Sequence, residues 1–372
     1  MGALELTGPV LTPGGLRGPA WVVDGVITYE RPLLPATQVL DGVVLPGLVD
    51  VHCHIGLGAA GAVDRATAVA QGQADLAAGV LLVRDAGSPA DTSWVHARGD
   101  MPQLIRSGRH IARPKRYLRG YAVELDDVRL LPEEVARQAR AGDGWVKLVA
   151  DWIDREVGDL TPLWPADVLR DAVAAAHDNG ARVTAHAFSH EAIDPLLEAG
   201  IDSIEHGTGM DADQIAEAAA RGIPITPTMI QVDNFAAFAA AGGAKFPAYA
   251  ARMERMYAHR DAQLAAFVDA GVQLLPGSDA GGTLPHGLMP GELARWVAGG
   301  VDPALAVEFA TWRARDFLRR GPLADAVGKI SVLEEDDPAD LVVYESDPRA
   351  RIAALRQPRA VLRAGQLSAG VS

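Results

Sequence analysis

The chain has 372 residues, 49% hydrophobic, 22% charged and 5% aromatic, which is a folded globular composition and outside the disordered class. Thirty-four basic against 48 acidic residues leave a net charge of −14, so neither nucleic acid nor an anionic membrane surface is expected as the main partner. No apolar run approaches the ~20 residues of a membrane span, Met1–Gly15 shows no secretory pattern, and the single cysteine, Cys53, has no internal partner for a disulfide, so a reducing, cytoplasmic setting is expected.

In chain order, short β segments come first: Leu4–Leu6, Ala20–Val23, Val26–Tyr29 and Gln38–Val44, with Asp24-Gly25 and Asp41-Gly42 as hairpin signals. The last fifty residues read alike, with Gly328–Val332, Leu341–Tyr344 and Ala360–Arg363. Two β-rich ends predict one small β-sandwich from residues 1–46 and 325–372, around a different middle at 47–324.

That middle alternates apolar strands with helical stretches. Strand Leu48–His54 precedes helix Ala62–Ala78, and strands Val80–Asp85 and Leu104–Ala112 lead to helix Pro132–Arg140. Strand Trp145–Ala150, helix Pro165–Asn179, strand Arg182–His186, helix His190–Ala199 and strand Asp202–His206 follow. Helix Ala212–Arg221, strand Ile223–Pro227, helix Phe246–Ala270 and segment Gln273–Pro276 complete the series. Such alternation predicts an α/β fold with a parallel sheet and outer helices, and the length suits a (β/α)8 TIM barrel, which needs about 250 residues.

His52-Cys53-His54 closes the first of these strands. Side chains alternate across a strand, so both imidazoles face the barrel interior and Cys53 faces the helices, as a structural residue. Lys147, His186, His206 and Asp279 also sit at strand ends. His52 to Lys147 is 95 residues, Lys147 to His186 is 39, His186 to His206 is 20 and His206 to Asp279 is 73. With one βα step per 20–40 residues, roughly, these positions fall on strands one, four, five, six and eight, and meet at the C-terminal mouth where barrel enzymes build their sites. Lys147 is one of only four lysines, and an unpaired ammonium within an apolar strand is costly. The blander reading of His206 is a hydrogen-bonded core histidine, and of Asp279 a helix N-cap; five converging strands outweigh both.

Leu45-Pro46-Gly47-Leu48-Val49-Asp50-Val51-His52-Cys53-His54, Ile204-Glu205-His206-Gly207, Gly277-Ser278-Asp279-Ala280-Gly281 and Pro338-Ala339-Asp340-Leu341-Val342-Val343 together resemble the metal-dependent amidohydrolase superfamily. Gly79–Gly87 and Val183–His206 are similar to its branch of prolidase-like dipeptidases and imidazolonepropionases. The resemblance implies a hydrolase with two zinc ions per chain. His52, His54 and Asp279 would bind the more buried ion and His186 and His206 the second, with Lys147 bridging as a carbamate. It further implies that Asp279, and His206 with it, serve catalysis: the shared water is acidified and Asp279 moves its proton to the leaving group. Ser189 stands where related deaminases place a glutamate, which argues against deamination; helix Thr311–Arg320 also departs from the family pattern.

The expected reaction is hydrolysis of an amide-type C–N bond in a dipeptide or N-acyl amino acid, with a cyclic amide or lactone as the alternative substrate and a non-catalytic scaffold as the alternative of another class. The expected partner is a small molecule, and a homo-oligomer is left open. Arg84, Tyr121 and His286 are weaker candidates for substrate contact, with Arg84 as a carboxylate anchor and Asp85 as a supporting group. Tyr117 would cover substrate, and Trp152 and Trp164 lie in an insertion that reads as a lid or as core. His96, His110, His177, His190 and His259 read as surface or helix residues, and Glu334–Asp337 as a solvated turn.

Overall fold

A computed structural model describes residues 2–368. Leu48–Cys53 and Val80–Asp85 are strands buried along their whole length, as near-continuous apolar runs require when both faces of a parallel sheet are covered. Val80–Asp85 pairs in parallel with Leu48–Cys53 on one side and Gln103–Arg106 on the other. A second parallel sheet runs in the order Val123–Glu124, Ile111–Ala112, Trp145–Val149, Arg182–Ala187, Ser203–His206 and Ile225–Thr226. Segment 273–280 lies between the last of these and the first strand of the other sheet: Leu275 N–H donates to the Ile225 carbonyl at 2.9 Å and Val51 N–H to the Pro276 carbonyl at 2.8 Å. Helices follow the strands, so the molecule has a TIM-barrel-like α/β fold.

The helix ends follow local chemistry. Asp64 caps Arg65–Ala77 by accepting from Thr67 N–H at 2.8 Å, and Asp211 with Gln214 forms a capping box for Ala212–Arg221. Helices Leu131–Ala141, Ala166–Asp178 and Pro247–Asp269 lie within a residue or so of expectation.

Four local expectations are corrected. Leu104–Ala112 is two strands, Gln103–Arg106 and Ile111–Ala112, because Gly108 adopts φ +69° and turns the chain against Gln138, whose Oε1 a Cβ there would meet at 2.6 Å. Gly328–Val332 is irregular chain after a short 3₁₀ turn, Asp325–Val327. In the acidic turn Glu334, Glu335 and Asp336 are exposed as expected, but the Asp337 carboxylate, 3% exposed, accepts from Val332 N–H at 2.8 Å and Glu334 N–H at 3.0 Å, and these local bonds compete with a ladder. Thr311–Arg320 is a π-helical turn, Phe309–Arg313, continuing as helix Ala314–Arg319.

The two ends of the chain meet in one sheet: Val43–Pro46 pairs antiparallel with Leu341–Tyr344, which pairs with Pro358–Arg363. A second sheet, Val26–Thr28, Ala20–Val23, Ala3–Leu6 and Ala36–Leu40, shares a core with it through Leu6, Ile27, Val44, Leu341 and Leu362. No helix among the described residues is long and apolar enough to cross a membrane.

Candidate active site

The strand ends bring one histidine-rich cluster together. His52 and His54, 2% and 4% exposed, point their Nε2 atoms at one oxygen of Asp279, Oδ1, each at 3.2 Å. The His52 ring lies 5.0 Å from that of His206, which lies 4.7 Å from that of His186. Gly277 makes the approach possible, since a Cβ there would meet the His52 Cβ at 2.6 Å. His206 and Asp279 themselves hold φ of +69° and +53°, a conformation that costs non-glycine residues about 1–3 kcal/mol and is commonly found at functional sites.

Each ring is oriented from behind. His54 Nδ1 lies 2.7 Å from the Gly87 carbonyl and must donate to it, which leaves the Nε2 lone pair facing the site. His52 Nδ1 sits 2.8 Å from Glu205 Oε2, and His206 Nδ1 sits 2.7 Å from Thr228 Oγ1. His186 is held more loosely, its Nε2 lying 3.5 Å from Asp151 Oδ1 without a hydrogen bond. Asp151 is locked by the N–H groups of Phe188 and Ser189, and burial pushes it up to about 6. Gln231 donates to the second Asp279 oxygen at 2.9 Å. Burial opposes ionisation of Asp279, but the His52 charge and hydrogen bonds from His52 and His54 outweigh it and hold the carboxyl well below its usual range.

Lys147, on Trp145–Val149, is 1% exposed and its Nζ has no hydrogen-bond partner. Burial lowers its pKa to about 8, so near neutrality a fraction is free amine and nucleophilic. Three imidazoles with a lone pair turned inward, a carboxylate anion and an unpartnered amine form a donor set that fits divalent ions, and the ligand atoms of His52, His54 and Asp279 all lie within 4.8 Å of one another.

Other sequence candidates fall differently. Arg84 is fully buried; its guanidinium is paired with Glu205, donates from Nε to the Val51 carbonyl at 2.8 Å and stacks over Trp145, while Nη1 has no partner. His286 is also displaced: its side chain is 3% exposed and pairs with Asp75 on helix Arg65–Ala77, outside the strand that carries His52. Asp85 accepts from Ile55 N–H at 3.0 Å and Gly87 N–H at 2.8 Å, fixing the carbonyl that orients His54. Tyr121 donates to the Gly58 carbonyl at 3.0 Å and its ring lies 6.4 Å from His110. Tyr117 packs 5.9 Å from His186 and 4.8 Å from Trp152, which belongs to a hairpin, Asp151–Asp154 with Asp159–Pro162. Trp164 is core, donating to the Val149 carbonyl at 2.7 Å.

His110 is no surface residue. It is fully buried with both ring nitrogens unpartnered, 5.0 Å from the His54 ring and 5.4 Å from Tyr117. Position 110 falls inside the expected strand Leu104–Ala112, which was signal enough for a buried residue; the actual strand resumes at Ile111, after the turn at Gly108. Glu205 was visible only as the neighbour of His206, and Gln231 lies on a four-residue helix, Met229–Val232, too short to show a period.

Similarity to known proteins agrees with this fold. The chain is 47% identical over 347 residues to an uncharacterized protein of Mycobacterium tuberculosis, covering 93% of this chain and 90% of that one. A Xaa-Pro dipeptidase with methionine in its active site superposes with TM-score 0.82 at 21% identity, covering 99% of this chain and 100% of that one. Aspergillus niger ochratoxinase superposes with TM-score 0.77 at 20% identity, covering 100% and 97%. Residues 43–367 match the amidohydrolase family, and with the resemblance read from its strand-end motifs this chain belongs to that family.

Proposed function

We propose that this amidohydrolase is a binuclear enzyme that cleaves an amide-type C–N bond in a dipeptide or N-acyl amino acid, at the mouth of a closed (β/α)8 barrel formed by residues 47–324 and flanked by a β-sandwich from 1–46 and 325–372. One observation carries the reading: imidazoles from three strands and the Asp279 carboxylate share a buried space with an amine, Lys147, that has no partner of its own. His52, His54 and Asp279 would hold one zinc ion, His186 and His206 a second, and Lys147 would bridge them once its free amine has added carbon dioxide to become a carbamate. When bound, such ions acidify a water and polarise the substrate carbonyl.

The protein groups supply the rest. Asp279, fixed by Gln231 and lying 3.2 Å from both His52 and His54, is positioned to take a proton at Oδ1 or Oδ2 and hand it to the departing nitrogen. His206 stands beside it as the second group named for catalysis. Tyr117, Trp152 and Phe188 wall the His186 side with aromatic rings, which favours a small organic substrate and excludes water there. The likeness to a dipeptidase supports a dipeptide-sized substrate.

The test is metal analysis of protein purified without chelator, followed by a hydrolysis screen of zinc-loaded protein against dipeptides, N-acyl amino acids, lactams and lactones. About two ions per chain with turnover of a linear amide is the expected result. Ring substrates alone would shift the assignment to cyclic amides or lactones, and a protein with no stoichiometric metal and no turnover would be a scaffold.

A further inference from the structure

Alternation along Leu48–Cys53 sends His52 and His54 to one side and Cys53 to the other, and a second cluster is assembled on that other side. Asp75, 1% exposed, comes from helix Arg65–Ala77, and His286 comes from the glycine-rich loop after Asp279, its side chain 3% exposed. Asp75 Oδ2 lies 2.7 Å from His286 Nδ1, and Oδ1 accepts from Gly287 N–H at 2.8 Å. The Cys53 sulfur, a ring nitrogen of His286 and a carboxylate oxygen of Asp75 all lie within 4.8 Å of one another.

A histidine–carboxylate strap between loop and helix would account for Asp75 and for His286 Nδ1. It leaves His286 Nε2 buried without a partner. A sulfur, an imidazole nitrogen and a carboxylate oxygen in a water-poor space are the donors of a borderline-soft divalent ion.

We propose that Cys53, Asp75 and His286 form a second cation site, on the helix side of the first strand and separate from the site at the barrel mouth, which takes zinc(II) or an ion of the same class. Binding replaces the thiol proton, which leaves to solvent, by the metal; the imidazole binds neutral and the carboxylate anionic. Zinc bonds of about 2.3 Å to sulfur and about 2.0–2.1 Å to nitrogen and oxygen put tetrahedral ligand atoms about 3.4 Å apart, inside the 4.8 Å within which the three donors lie. The ion would pin a strand, a helix and a loop from distant parts of the chain, bracing the loop that begins one residue after Asp279.

Cobalt(II) gives a direct test, because a thiolate ligand produces an intense sulfur-to-cobalt charge-transfer band that nitrogen and oxygen donors cannot. Cys53 is the only cysteine, so any such band reports this site alone. The full-length protein loaded with cobalt is expected to show the band, saturating at one ion per chain through this site. Asp279→Asn should keep it, Cys53→Ser should abolish it, and His286→Ala should weaken cobalt binding there by about tenfold or more. A folded, cobalt-loaded wild-type protein without the band overturns the proposal, as does a band indifferent to His286→Ala or lost in Asp279→Asn. None of these readings depends on turnover, so the proposal stands or falls apart from the hydrolase assignment.

Discussion

Glu205 faces two ways from strand Ser203–His206. One oxygen is paired with the Arg84 guanidinium and the other sits 2.8 Å from His52 Nδ1, so a single carboxylate neutralises a buried cation and orients an imidazole. Burial would raise its pKa, yet the charge of Arg84, with His52 and Lys147, holds it well below the usual carboxylate range. Glu205→Gln leaves Arg84 buried without a counter-ion, which costs about 3–5 kcal/mol, and loosens His52, which weakens metal binding about 10–100-fold; denaturant unfolding and metal titration of the variant check the two effects separately. Asp279→Asn keeps the shape of the side chain but removes the proton acceptor, so kcat should fall by about 10²-fold or more while the fold remains. An Asn variant turning over near the wild-type rate would exclude the shuttle role. Lys147→Ala removes the bridging group and should lower bound metal from about two per chain toward one or none, with loss of hydrolysis. Metal analysis of the folded variant decides it, and unchanged metal content with unchanged turnover would point to a single-ion enzyme.

At the level of elements, the site depends on pieces that carry no periodic signal. Arg116 ties the hairpin of residues 151–162 to the loop before it: it contacts Asp154 at 2.9 Å, the carbonyls of Trp152 at 3.1 Å and Thr161 at 2.9 Å, and Thr161 Oγ1 at 2.6 Å. Trp152 on that hairpin packs 5.3 Å from the His186 ring. Arg116→Met keeps the aliphatic length and removes these bonds, so KM should rise several-fold with metal content unchanged; equal KM values for variant and wild type would show that the hairpin does not shape the substrate site. Long elements were legible from caps and periodicity, as for Arg65–Ala77 behind Asp64 and Ala212–Arg221 behind Asp211. Short ones were not. Ile225–Thr226 is a two-residue strand and Met229–Val232 a single turn of helix, so the placement of Thr228 and Gln231 against His206 and Asp279 comes from tertiary packing.

For the whole molecule, ions bound by the folded chain and not by the unfolded one stabilise it by mass action, about 4 kcal/mol at a thousandfold excess over Kd. Stripping the protein with chelator should therefore lower Tm by roughly 5–15 °C, reversibly on adding zinc; a calorimetric Tm indifferent to chelator would argue against tightly held metal. Chain order marked His52, His54, His186, His206 and Asp279, because each closes an apolar run and strand ends in alternating α/β chains gather at one rim, and it marked Lys147 as a scarce lysine inside such a run. The meeting of Val43–Pro46 with Leu341–Tyr344 was likewise anticipated from two β-rich ends. What needed the tertiary structure were the groups whose meaning lies in a partner far along the chain. Arg84 lies 121 residues from Glu205 and His286 lies 211 from Asp75, and no local pattern tells a buried ion pair from a substrate anchor. Strand period sets which way a side chain points, whereas the charge or ring that waits there depends on how distant strands and loops pack. His110 shows the difference: from the sequence it read as a surface or helix residue, and only packing set its ring against His54.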